Sequence, residues 1–169
     1  IDLSTSGVKT VRLIEGTHGL ILGNHSQSRL PIGAFTDGEI TDRTAVVEAL
    51  TTATGAINIS AANVSLSESK SYLFETSAPG SGKDEWQTSI EQHLDEFIPL
   101  SPSEVVFDFV DVGRDGNNVA LVAGVGFARR IIDDTLSVFD QAGILARALE
   151  GETFAASRAL LPLGDESTV

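Results

Sequence analysis

The stretch Ile1-Asp2-Leu3-Ser4-Thr5-Ser6-Gly7-Val8-Lys9 holds the densest set of groups able to do chemistry, read as strand, tight turn, strand. Small and hydroxyl-bearing residues in such a turn let backbone N–H groups approach phosphate oxygens, which makes an anion nest. A carboxylate at the strand end, Asp2, can hold a water or a magnesium ion beside those phosphates. Lys9 adds a point charge. Taken by itself the signal is weak, because many hairpin turns share this composition.

The other candidates fail on spacing. Gly80-Ser81-Gly82-Lys83 resembles a P-loop only in part, since that motif needs Gly at 77 and Ser or Thr at 84, where Ser77 and Asp84 stand. It reads as a loop before a helix. No G-x-S-x-G elbow is present, and nothing pairs a serine with His18, His25 or His93. Those histidines are scattered, so no metal site follows from them. His93 falls on the apolar stripe of its helix and is expected to be a partly buried structural residue. Asp108 sits inside an apolar strand, where an outward position on a half-solvated sheet is the favoured reading.

Composition narrows the function classes. The chain has 169 residues and a formal net charge of −13. Nucleic acid and a polybasic membrane patch are therefore poor candidates for its main ligand. A hydrophobic content of 41% is ample for a packed core. There is no apolar run long enough to span a bilayer and no secretory leader at the start. With no cysteine, disulfides, cysteine-zinc sites and thiol nucleophiles are excluded, and a reducing compartment fits. The expectation is an acidic, soluble, cytoplasmic protein.

The elements that must position the first turn are legible in outline. Val8 to Ile14 and Leu20 to Leu22 are β-rich runs joined at Gly16-Thr17-His18-Gly19, so an antiparallel hairpin is expected. Thr41 or Asp42 caps a helix with Val46, Ala49, Leu50 and Ala53 inward and Gly55 as its left-handed stop. Ile57 to Leu66 and Tyr72 to Thr76 read as strands. A helix with an Asp84/Gln87 capping box buries Trp86, Ile90, Leu94 and Phe97, and Pro99 and Pro102 end it. Glu104 to Val112 alternates, Arg114 to Asn118 is a hairpin loop, and Val119 to Val125 reads as a strand buried on both faces. A helix from about Phe127 turns Ile131, Thr135, Val138, Phe139 and Ala142 inward and stops at Gly143. A strand from Ile144 to Leu149 and a helix from Thr153 to Leu161 follow, and Gly164 to Thr168 is polar and turn-like. The class is mixed α/β, with the middle segment resembling an insertion.

The first nine residues resemble the first phosphate-binding motif of the actin-like ATPases in the form found in the PilM family of type IV pilus assembly, relatives of the division protein FtsA. The family pattern is Gly-Ile-Asp-Ile-Gly, small polar residues, then Val-Lys, and Asp2, Val8 and Lys9 match in register. Ser4 stands where the family has a second glycine. Further likeness lies in Gly38-Glu39-Ile40, in Glu91 to Pro99 with Glu104 to Asp108, in Val119 to Gly124, and in Glu150 to Leu160.

The resemblance implies an actin-like (ribonuclease H-like) subdomain 1A over 1–66 and 144–169, with an SHS2-type subdomain 1C inserted at 67–143. It implies ATP with magnesium as ligand. Ser4, Thr5, Ser6, Gly7 and Lys9 would cradle phosphate, and Asp2 would bind the metal through water. It also implies a PilN-like cytoplasmic tail as partner, with other pilus platform proteins or self-association beside it. Location would be cytoplasmic and peripheral to the inner membrane, reached only through partners. The family pattern further implies a preceding glycine trimmed away and about as many residues again, carrying the second phosphate loop. Activity would then be at most a slow ATPase. The rival readings are a scaffold that binds no nucleotide and accepts a peptide on an edge strand, and an FtsA-like division or type II secretion protein.

Overall fold

The computed structural model describes residues 1–160. Gly164 to Thr168, expected to be turn-like, lie outside the described residues. The described chain forms two compact units, one from Ile1–Ser69 together with 134–160, the other from Lys70–Asp133.

In chain order the first unit opens with β1 (Asp2–Ser4), β2 (Gly7–Gly16), β3 (Gly19–Ser28), the short pair β4 (Phe35–Thr36) and β5 (Glu39–Ile40), α1 (Arg43–Gly55) and β6 (Ala61–Leu66). The second unit contains β7 (Ser71–Ala78), α2 (Lys83–Gln92), α3 (Leu94–Phe97), β8 (Val105–Arg114) and β9 (Ala120–Ala128). The boundary back to the first unit falls inside α4 (Arg129–Gln141), and β10 (Leu145–Gly151) and α5 (Glu152–Leu160) complete the described chain.

The first unit is a five-stranded sheet in the order β10-β6-β1-β2-β3. β10, β6 and β1 run parallel, while β1, β2 and β3 are joined antiparallel. One face carries the core. Leu3, Val8 and Val64 pack with Val46, Ala49, Leu50 and Ala53 of α1 and with Val138 and Phe139 of α4. The helix period brings Val46, Ala49, Leu50 and Ala53 to one stripe. Asp42 is the N-cap and accepts a bond from the Ala45 amide at 3.0 Å. Arg43 ties the helices together, donating to Ser137 Oγ at 2.9 Å and pairing with Asp134.

The second unit is the antiparallel sheet β7-β9-β8 with a core of Phe74, Ile90, Leu94, Ile98, Val105, Phe109 and Val122. Gly124 in the central strand is required by close packing. A Cβ there would sit 2.2 Å from the Phe74 ring, so a strand residue that costs some stability admits an aromatic into the core.

Several expectations need correction. Gly55 closes α1 within the helix, and Asn58, at φ 53°, takes the left-handed turn instead. As a result β6 starts at Ala61, not at Ile57. The Asp84/Gln87 capping box does not form. Gly82 is the N-cap, and Glu85 accepts bonds from the Ser81 amide and hydroxyl at 2.7 and 3.3 Å. The helix breaks at His93, which is exposed, its Nδ1 against the Ser89 carbonyl at 3.0 Å. β9 alternates buried and half-buried positions and runs on through Phe127 and Ala128, so α4 starts later than expected. Asp108 is outward, as read, and pairs with Lys83.

Candidate functional site

The site is built by the register of three strands. Asp2 lies opposite Lys9, Leu3 opposite Val8 and Ser4 opposite Gly7. Leu3 and Val8 are buried in the core, so strand alternation puts Asp2, Ser4 and Lys9 on the other face of the sheet. Asp2 Oδ2 and Lys9 Nζ are 3.1 Å apart, with side chains 35% and 48% exposed. A pair so exposed contributes about 0–1 kcal/mol, so Lys9 is free to turn to another anion at small cost.

Thr5 and Ser6 form the exposed apex, and neither has a positive φ. Ser4 Oγ lies 3.1 Å from Ser6 Oγ and 3.4 Å from the Gly7 carbonyl. Ser4 also has an ordinary backbone conformation, so the strand does not itself demand glycine there. Gly7 is different. Its φ is 137°, and a Cβ would meet the Ser28 carbonyl oxygen at 2.1 Å. The six expected site residues are thus brought together in one turn.

Two residues of this surface escaped sequence reading. Asp2 is in register with Ser65 of β6, and Ser65 with Glu150 of β10. Asp2, Ser65 and Glu150 form a lateral row near the carboxyl ends of three parallel strands, where open α/β sheets bind ligands. The outer two Cα atoms are roughly 10 Å apart, two strand spacings. Glu150 is paired with Arg158 of α5. Ser65 is also anchored to β1, its amide donating to the Ile1 carbonyl at 2.8 Å. The strand ends are further clamped where the Thr153 amide donates to Glu68 at 2.9 Å and the Glu68 amide to Glu152 at 3.4 Å. A glutamate one residue before a strand-to-helix junction was the available signal for Glu150. Its partners across the sheet were not visible in the sequence.

Chemically, the apex offers hydroxyl and amide donors, Lys9 offers positive charge, and Asp2 offers a carboxylate. That donor set suits phosphate oxygens and a cation held through water. Among the described residues no group of three or more histidine, aspartate or glutamate side chains is placed to chelate a metal directly. The Gly80-Ser81-Gly82 loop has no comparable opening, since Glu85 already takes the Ser81 amide.

One family model covers nearly the whole chain. Residues 1–165 match the model of the type IV pilus assembly protein PilM. The chain is similar in structure to a PilM-PilN type IV pilus biogenesis complex, with a TM-score of 0.83, 18% identity, and coverage of 94% of this chain and 48% of that one. It is also similar to the cytoplasmic domain of EpsL, an inner-membrane component of the type II secretion system of Vibrio cholerae. There the TM-score is 0.60 and the identity 15%, covering 92% of this chain and 56% of that one. The chain therefore spans about half the length of the structures it matches. No curated protein matches it.

Proposed function

The chain belongs to the family of type IV pilus assembly protein PilM, and on that premise we propose that it is a cytoplasmic, actin-fold component of the pilus platform that docks the cytoplasmic tail of a PilN-like membrane protein. The observation carrying this reading is the likeness to a PilM-PilN complex along nearly the whole chain. No helix among the described residues is long and apolar enough to cross a membrane. In this reading, contact with the inner membrane runs through the partner.

Residues 1–66 and 144–169 are read as an actin-like subdomain 1A, which the sheet order β10-β6-β1-β2-β3 favours. Residues 67–143 are read as carrying an inserted SHS2-type subdomain 1C, with Lys70–Asp133 as its compact body, since Val138 and Phe139 of α4 belong to the core of the first unit. Support comes from the strand, helix, strand, strand order of the second unit.

The β1–β2 turn is assigned to half of a nucleotide site. Its Thr5 and Ser6 apex would hold phosphate oxygens, with Lys9 adding charge and Asp2 holding magnesium through water. The second half would come from a further lobe, and the nucleotide would tune partner contact more than drive turnover. Calorimetric titration of magnesium-ATP into the protein carrying both lobes should show binding that Asp2→Ala abolishes. Unchanged affinity in the variant would remove Asp2 from the site. Ser4 favours a second reading, a scaffold without nucleotide, because its Cβ stands where the backbone must approach phosphate. Absence of binding in the unaltered two-lobed protein would establish that reading instead.

A further inference from the structure

The β2–β3 hairpin exposes six large aliphatic side chains: Val11, Leu13, Ile14, Leu20, Ile21 and Leu22. Leu20 is 67% exposed, Leu22 60% and Ile21 52%. They lie on both faces of the hairpin, Leu13, Leu20 and Leu22 on one and Ile14 and Ile21 on the other, and so many exposed apolar side chains on a charged protein mark an interaction site. β3 is also the edge of its sheet, and its tip carries no lysine, proline or inward charge to block pairing.

The sequence of that edge is its own mirror. Gly19-Leu20-Ile21-Leu22-Gly23 reads the same in both directions about Ile21. Main-chain geometry has the same centre. The two-residue turn closes on the pair Gly16–Gly19, which in such hairpins is hydrogen-bonded. By alternation Ile21 directs its N–H and C=O inward at Ile14, while Leu20 and Leu22 direct theirs at the open edge. Beyond Leu22 the ladder shifts register, with Gly23 and Asn24 together opposite Arg12. That bulge ends the flat part of the edge where the mirror sequence ends.

We propose that β3 pairs antiparallel with β3 of a second copy of this chain, on a twofold axis through Ile21. Leu20 then lies opposite Leu22 of the other copy in two hydrogen-bonded pairs, giving four main-chain bonds. On one face Ile14 and Ile21 of both copies make a four-residue ladder across four strands. On the other face Leu13 and Leu22 of one copy continue into Leu20 of the other. An isologous contact of this kind needs a self-complementary patch, which the mirror sequence supplies.

Charge selects the same place. The chain carries −13 overall, whereas Gly7–Ser28 holds only Lys9, Arg12 and Glu15, and Gly19–Gly23 holds no charge. Two copies therefore repel over most of their surface and least at this edge. Pairing along a five-residue edge is a small contact, so the dimer is in reversible exchange.

Because the chain has no cysteine, Ile21→Cys is a clean probe. A non-hydrogen-bonded antiparallel pair sets the two Cα atoms about 4.5 Å apart, within disulfide reach. Mild oxidation of the whole chain should convert Ile21→Cys to a covalent dimer. Leu73→Cys, equally exposed on β7, serves as the collision control and should remain monomeric. Sedimentation velocity should show a concentration-dependent dimer that Ile21→Lys removes while the circular dichroism spectrum stays unchanged. Ile21→Cys dimer no greater than in the control, with a monomer at every concentration, would overturn the proposal. So would protection of this edge seen only after a foreign peptide is added.

Discussion

Gly7→Ala should lower the thermal midpoint of the protein by about 10 °C, the shift expected of a loss on the order of 3 kcal/mol in a chain of this size. The cause is double. At φ 137° an L side chain is strained whatever the space around it, and here the space is already filled by the Ser28 carbonyl, 2.1 Å from the new Cβ. Backbone cannot yield as the end of a flexible side chain can, so β3 must move away from β2 or the turn must open. Either response displaces Thr5 and Ser6. Loss of stability should therefore come with loss of magnesium-ATP binding in the two-lobed protein. Ser4→Gly is the matched contrast. Ser4 has ordinary strand geometry, so glycine there should cost less than about 1 kcal/mol. Equal melting of Gly7→Ala and the unaltered protein would show that the turn is not held by this close approach.

Phe139→Ala should cost about 3–5 kcal/mol, the range for emptying an aromatic from a packed core. Phe139 is fully buried in one core cluster with Val46, Leu50, Val64 and with Leu3 and Val8, which flank the β1–β2 turn. The cavity would open under the strands that place Asp2 and Lys9 on the opposite face. Chemical denaturation followed by circular dichroism should show the shift, and Phe139→Leu should recover most of it. A change below about 1 kcal/mol for the alanine variant would mean that the core closes over the gap.

Local signals carried much of the fold. The spacing of Val46, Ala49, Leu50 and Ala53 marks the buried stripe of α1, and Gly143, at φ 71°, ends its segment as expected. The Gly16 to Gly19 turn between apolar runs marks the β2–β3 hairpin. Competing local contacts account for the errors. Glu85 reaches back to Ser81, so Asp84 and Gln87 never form a capping box. A break at His93 rotates the ring out of the stripe that a continuous helix would have buried. Asn58 takes the left-handed turn three residues after the glycine that was expected to provide it.

The turn of the candidate site was legible because all its members lie within nine residues. The row Asp2, Ser65, Glu150 was not, because it exists only through pairing of strands about sixty and eighty-five residues apart in the chain. Nothing near Glu150 in sequence announces that β6 will lie between it and Asp2. The pairing of Glu150 with Arg158 is local, but its meaning depends on where the sheet places it.

Docking of a PilN-like tail is tested most directly by calorimetric titration of a synthetic peptide spanning that tail into the full protein, repeated from low to high salt. One saturable site is predicted. With a protein this acidic, a tail bearing basic residues should bind less tightly as salt rises, since charge complementarity is then screened. Absence of binding at every salt concentration, in protein that melts cooperatively, would contradict the account and leave a pilus-family fold without its proposed partner.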